Sequence, residues 1–177
     1  AAVPHHETGD TKLKKNESLL MDFGGTYNGY CSDMTRTMFF GTPDEEFEKV
    51  YLAVLIAHKT AAEKIKAGIT GKEADKYARD VLDSLGYGKY FTHSLGHGIG
   101  VNIHEFPTLS PKGEATLENG MVFSDEPGVY INGKFGVRIE DSCYMLDGKF
   151  HTFMKDDKSL VVIGENGEIQ RKKLIKK

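Results

Sequence analysis

Five residues of this sequence are of the kinds that hold metal ions or move protons: Asp22, Asp33, His97, Glu126 and Glu140. The two aspartates lie in MDFGGTYNGYCSDMTRT (Met21 to Thr37), which otherwise reads as a β-hairpin. Acids are disfavoured inside strands, and carboxylates sharing a site repel each other. A turn around Tyr27-Asn28 opposes Asp22 to Asp33, with Cβ atoms about 4.5–5.5 Å apart. A turn at Asn28-Gly29 makes the pair diagonal but leaves both on one face. Either way the acids converge. Two divalent cations would balance four carboxylates, at the roughly 3.5–4 Å separation of two-metal sites.

The glutamates sit in MVFSDEPGVYINGKFGVRIEDSCYM. Strand alternation sends Val137 and Ile139 to one face and Arg138, Glu140 and Ser142 to the other. A strict Asn132-Gly133 turn opposes Glu126 to Ile139, so convergence of the two glutamates requires a one-residue shift. Pro127-Gly128 and Gly136 are the expected places for it. The resulting set, four carboxylates and one imidazole, suits manganese, and mixed nitrogen and oxygen sites also take cobalt, iron or zinc. Structural zinc would use thiolates. A lone hairpin Asp is usually a surface residue, and a lone His among glycines usually serves the backbone. The joint arrangement carries the reading. Three other matches fail. Asp22-Phe23-Gly24 lacks the rest of a kinase. His104-Glu105 is followed by Pro107, which stops a zincin helix. Residues 96–100, GHGIG, lack the Lys-Ser/Thr of a phosphate loop.

The elements that would position these residues alternate in type. Strands are expected at 18–23 and 30–40. A helix follows with Thr42 as N-cap, Pro43 at its first position and Glu45 closing a capping box. Its apolar stripe is Phe47, Val50, Tyr51, Val54, Leu55, Ala61, Ala62 and Ile65, ended by Gly68. Thr70 and Glu73 repeat the cap, and Gly86 ends the second helix. Strands are expected again at about 121–126, 129–131, 137–145 and 160–163. The two acid-bearing hairpins, with helices between them, look like a weak internal duplication.

The chain of 177 residues, with net charge −3, fits one domain and offers no global electrostatic case for nucleic acid or an anionic membrane. No apolar run approaches the roughly 20 residues of a membrane span, and no signal peptide is recognisable. The chain opens without Met, as a fragment or processed piece would. Cys31 and Cys143 read as free thiols in a reducing compartment, the cytoplasm.

PHHETGD, MDFGGTYNGYCSDMTRT, THSLGHGIGVNIHEFP, SDEPGVY and GVRIEDS occur in the order found in the metallopeptidase family of Xaa-Pro aminopeptidases, prolidases and methionine aminopeptidases. The resemblance runs from residue 4 to about 163 and is strongest to the Xaa-Pro aminopeptidase and prolidase branch. It implies an α+β, pita-bread fold: a curved antiparallel sheet in two pseudo-symmetric halves, backed by helices. It also implies a dinuclear metal-dependent exopeptidase that splits the Xaa-Pro bond of peptides or dipeptides through a hydroxide bridging the metals. Asp22, Asp33, His97, Glu126 and Glu140 would hold two divalent ions, foremost manganese, with Asp33 and Glu140 shared. Glu126 would also be the general base. His104 would steady the tetrahedral intermediate, His5 would lie by the scissile amide, and His93 would line the leaving-group side. Arg138 would support the ligands.

The resemblance also implies a missing part. The family's catalytic domain has helices and strands before the PHHETGD motif, so residues 1–163 read as an N-terminally truncated catalytic domain with an incomplete first half. Residues 164–177 read as a solvated, partly disordered basic tail. One sheet face should then lack cover, with a homo-oligomer or a missing N-terminal segment as its expected partner. A methionine aminopeptidase and a catalytically silent protein-binding relative are the alternatives.

Overall fold

The computed structural model describes residues 1–174. Strands β1 (Glu17–Tyr27) and β2 (Tyr30–Phe40) form the opening hairpin. Asn28 and Gly29 take φ of +49° and +85°, as a two-residue type I′ turn requires. The register follows from that turn: Asp33 faces Gly24 and Asp22 faces Thr35, so the aspartates are diagonal. Thr35, Thr37 and Phe39 share Asp33's face and are buried. On the opposite face Leu19, Met21, Phe23, Met34 and Met38 form an apolar stripe. None is buried, and Phe23 is 50% exposed. Leu19, Met21, Met34 and Met38 are half-buried, and Arg36 on the same face is buried, so exposure on this face centres on Phe23.

Helix α1 (Glu45–Lys64) begins one turn chemistry later than the sequence suggests. Its N-cap is Asp44, whose carboxylate accepts from Phe47 N. Thr42, the expected cap, instead donates its N–H to Asn16 Oδ1 at 3.0 Å. An aspartate cap with Glu45, Glu46 and Glu48 in the first turn complements the helix dipole better than a threonine does. Helix α2 (Gly71–Ser84) has the expected Thr70/Glu73 capping box, and Gly86 follows it at φ +83°. Ala53, Ala57, Ala61, Ala74 and Ala78 are all buried, and such small residues let helices approach closely. Phe47 of α1 lies 4.6 Å from the Phe39 ring and 5.2 Å from that of Phe135. Burying a phenylalanine contributes about 1.5–3 kcal/mol, so this trio ties α1 to both hairpins.

The remaining strands are short. They are β3 (Gly96–Gly98), β4 (Glu105–Leu109), β5 (Val122–Asp125), β6 (Gly128–Ile131), β7 (Phe135–Arg138), β8 (Asp141–Leu146), β9 (Lys149–Thr152), β10 (Leu160–Ile163) and β11 (Ile169–Lys172). They assemble as β1-β2-β10-β11, β4-β3-β5-β8-β9 and β6-β7. β3, β4, β9 and β11 are absent from the sequence-based expectation. So is the break that splits 137–145 at Ile139-Glu140. β11 corrects the reading of the basic tail. Its residues are exposed, as expected, but paired in register with β10. Lys176 and Lys177 lie outside the described residues.

The second hairpin settles the register. β6 pairs with β7 as Gly128↔Arg138 through Ile131↔Phe135, leaving a three-residue loop, Asn132 to Lys134. Gly133 takes φ +74°, and Lys134 N donates to Ile131 O at 3.0 Å. The required one-residue shift is therefore made by the loop, not at Pro127-Gly128 or Gly136. β5 and β8 continue the same register, ending at Asp125↔Asp141. Extended one step, it opposes Glu126 to Glu140 at the gap between the two ladders.

Candidate metal centre

At that gap both glutamates find main-chain partners outside their own hairpin. Glu126 N donates to Leu95 O (2.9 Å) and Glu140 N to Thr35 O (3.1 Å). The second bond is part of a bridge joining the two hairpins. Ser142 adds to that junction, since its Oγ accepts from Asp33 N (3.1 Å) and donates to Asp33 O (2.7 Å). His97 enters from β3, at a register irregularity between His97 and Gly98. β3 lies so close to β5 that a Cβ on Gly96 would stand 1.9 Å from Ser124 O. Glycine is thus required beside His97.

The result is convergence. One ligand atom each of Asp33, His97 and Glu140 lies within 4.8 Å of the others. His97 Nε2 is 3.3 Å from Glu126 Oε1 and 3.6 Å from Asp33 Oδ2. Ser124 Oγ donates to Glu126 Oε1 at 3.0 Å. Asp22 stands at the open side, its side chain 44% exposed and bonded to Arg138 Nη2 at 2.5 Å. Asp33, His97, Glu126 and Glu140 thus form the inner cluster, and Asp22 its rim.

Arg138 is 1% exposed and reaches most of this cluster. Besides Asp22 it donates to Thr35 Oγ1 (3.0 Å), Tyr130 Oη (2.9 Å) and Pro4 O (3.1 Å). Its Nε is 3.8 Å from Glu140 Oε2 and 4.0 Å from Glu126 Oε2. Thr35 passes the contact on, donating to Glu140 Oε2 at 2.5 Å. Tyr130 does the same toward His93 Nε2, at 2.8 Å.

One guanidinium does not neutralise four carboxylates. Burial, reinforced by Asp22, pushes Asp33 up to about 6. Burial pushes Glu126 up to about 7, against the pull of Arg138. Glu140 is raised well above the ordinary carboxylate range by burial and by the charges of Glu126 and Asp33. Burial lowers His97. Its Nδ1 lies 3.0 Å from Gly98 O. A carbonyl only accepts, so Nδ1 carries the proton and the Nε2 lone pair faces the acids. Repelling carboxylates beside an oriented neutral imidazole fit hard to borderline divalent cations.

The cluster opens on a cavity of about 700 Å³ that His5, His93 and His104 also line. His104 is exposed, with its ring 4.2 Å from that of His97. His5 is exposed as well. His93 is half-buried and engaged at both nitrogens, Nδ1 lying 2.8 Å from Ser94 O. Burial drops it to about 4.

Thr35, Tyr130, Ser124 and Ser142 are not among the residues the sequence singles out. The alternation that aligns Asp33 with Thr35, and Glu140 with Ser142, was the available signal. Tyr130 gave none, since GVYI reads as an apolar strand.

The model of metallopeptidase family M24 matches residues 1–147. A Xaa-Pro dipeptidase from Lactobacillus helveticus is 44% identical over 163 residues, covering 92% of this chain and 44% of the relative. The crystal structure of a dipeptidase from Pyrococcus horikoshii OT3 is 43% identical with a TM-score of 0.89, covering 92% of this chain and 46% of that one. An X-Pro aminopeptidase from Thermotoga maritima MSB8 is 39% identical, also with a TM-score of 0.89 and the same coverage. The α+β, pita-bread expectation agrees with these likenesses. The chain spans less than half the length of each relative. Among the described residues no helix is long and apolar enough to cross a membrane.

Proposed function

The chain belongs to metallopeptidase family M24, and we propose that it is the metal-holding part of an exopeptidase that hydrolyses the bond between an N-terminal residue and proline. The observation that carries this is the convergence of Asp33, His97, Glu126 and Glu140 at the base of one cavity. Asp22, Asp33, His97, Glu126 and Glu140 would hold two divalent ions, Asp33 and Glu140 being the carboxylates at the centre of the set. Manganese suits the carboxylate-rich set best, with cobalt, zinc and iron as substitutes. When bound, the ions polarise the scissile carbonyl and lower the pKa of the attacking water.

The side chains do the rest. Glu126, held by Ser124 at the buried end of the cavity, takes the water's proton and delivers it to the leaving amine. His104 donates to the developing oxyanion. His5 lies beside the scissile amide, and His93, steadied by Tyr130, lines the leaving-group side. Arg138 holds Asp22 and, through Thr35, Glu140. A second copy or a further segment covers the apolar face around Phe23. The two free thiols fit a reducing compartment, the cytoplasm.

The test compares hydrolysis of an Xaa-Pro dipeptide, an Xaa-Pro tripeptide and a Met-Ala peptide by manganese-loaded protein, for this chain and an N-terminally extended one. Cleavage of Xaa-Pro substrates alone, abolished by EDTA, supports the proposal. Preference for Met-Ala assigns a methionine aminopeptidase. Metal binding with no hydrolysis by either protein assigns a silent relative.

A further inference from the structure

Behind the metal cluster, on the other face of the sheet, lies a second group of charged residues that the proposed chemistry does not use. Asp125 precedes Glu126 and Asp141 follows Glu140, and the two aspartates form the last rung of the β5–β8 ladder. Alternation sends both side chains away from the metal side and under α1, where both are fully buried. Their surroundings differ. Asp141 receives Arg36 Nη2 at 2.7 Å, Lys158 Nζ at 2.8 Å and Thr152 Oγ1 at 2.9 Å. Among the described residues Asp125 has no hydrogen-bond partner on either oxygen, and neither has His58 Nε2.

His58 comes from α1 and is itself buried. It falls on the apolar stripe, four residues after Val54 and three before Ala61, where only a specific need would place an imidazole. Its Nδ1 lies 3.7 Å from Asp125 Oδ2 and its Nε2 lies 3.6 Å from Asp141 Oδ2. Both separations exceed hydrogen-bond length, and burial keeps the imidazole neutral near pH 7, so the ring meets the acids as a close polar contact and not as an ion pair. Imidazole is a compact side chain with polar atoms on two sides, so one ring faces both acids. Without it Asp125 would face the like charges of Asp141 and Glu126 with no close counterpart. A buried polar group left so is strongly disfavoured, and without the ring the β5 end that carries Glu126 loses its side-chain contact with α1.

We infer that His58 is a positioning residue for the metal-binding glutamates: by spanning Asp125 and Asp141 it fixes the strand ends from which Glu126 and Glu140 reach the cations. The inference rests on the metal-holding role proposed above. The main chain pairs the two aspartates at this rung, and His58 adds a side-chain contact with both. Ladder pairing stops at their rung; Arg36 bonds Asp141, Asp156 and Glu140 O and Lys158 pairs with Asp141 and Asp156, so both hold the β8 side of the rung.

The test is calorimetric titration of the metal-free chain with manganese, with melting followed in parallel. The variants are His58→Leu, His58→Gln and the double variant His58→Leu/Asp125→Leu. Removing both unpartnered groups restores an apolar interior and is close to neutral for folding, so a purely structural role leaves metal affinity intact in the double variant. The positioning role predicts at least ~10-fold weaker manganese binding for His58→Leu and for the double variant, the usual scale for outer supports of metal ligands. His58→Gln should stay within ~3-fold of wild type. Wild-type affinity in a folded His58→Leu or double variant overturns the inference. So does failure of all three variants to fold, which assigns His58 to stability alone. Absence of manganese binding by the wild-type chain instead overturns the metal-holding role itself.

Discussion

Thr35 and Glu140 are joined twice: Glu140 N donates to Thr35 O at 3.1 Å, and Thr35 Oγ1 donates to Glu140 Oε2 at 2.5 Å. Together these bonds couple the hairpin carrying Asp22 and Asp33 to the one carrying Glu126 and Glu140. The geometry of the acid cluster therefore depends on a hydroxyl that carries no charge and binds no metal.

Thr35→Val keeps the shape of the side chain and removes that hydroxyl. It leaves Glu140 without its donor and Arg138 Nε without an acceptor. Expected outcomes are a stability loss of about 1–3 kcal/mol by urea unfolding and a ~10–100-fold fall in manganese affinity by calorimetry.

Deleting Gly136 from β7, with the Asn132–Lys134 loop kept, moves every later residue one step and sets Glu126 opposite Asp141 instead of Glu140. A one-residue slip sends a side chain to the other face of the sheet. Manganese binding should be lost while circular dichroism retains the strand signal. Unchanged binding would mean that the β6–β7 pairing does not set the glutamates' register.

The acid cluster also fixes a pH dependence. In the metal-free chain Glu126 is held at about 7, above its ordinary 4.5. Between those values the folded chain binds more protons than the unfolded chain, so this contribution is full at low pH and is lost as pH rises toward 7. His58 and His93, each held at about 4, act with the opposite sign, since their contribution is lost as pH falls. A difference measurement isolates Glu126 together with its repulsion of Glu140. In EDTA, the Tm of Glu126→Gln minus that of wild type should rise by ~5 °C or more between pH 4.5 and 7 and level off above. A flat difference contradicts the burial of Glu126 as an acid.

Gly96→Ala places a methyl on Ser124 O. β3 must move away from β5, taking His97 with it. Metal affinity should fall by at least ~10-fold, with a stability loss of about 1–3 kcal/mol from the overpacking.

These predictions depend on features that differ in how well the sequence displays them. The aspartates' convergence was legible, because either turn around Asn28 leaves Asp22 and Asp33 on one face. The glutamates' alternation was legible too, but not the place of the register shift. An Asn-Gly dipeptide signals a two-residue turn, whereas here Lys134 joins the loop, with its ammonium on Glu46 at 2.8 Å. That contact is between residues distant in sequence. β11 was hidden for a similar reason. IQRK carries no apolar alternation, and its strand form comes from pairing with β10. His58 interrupts the apolar stripe of α1, and acids flank both glutamates in SDEP and RIED. That pattern hinted at a buried polar group behind the site, but only the fold shows that it faces them.

The most direct measurement of the central claim is the number of manganese ions bound per chain, by calorimetry with metal analysis, for wild type and for the Asp33→Asn and Glu140→Gln variants. The account predicts two ions for wild type and loss of both when either central carboxylate is neutralised. Two ions retained in both variants, or none in the folded wild-type chain, would contradict it.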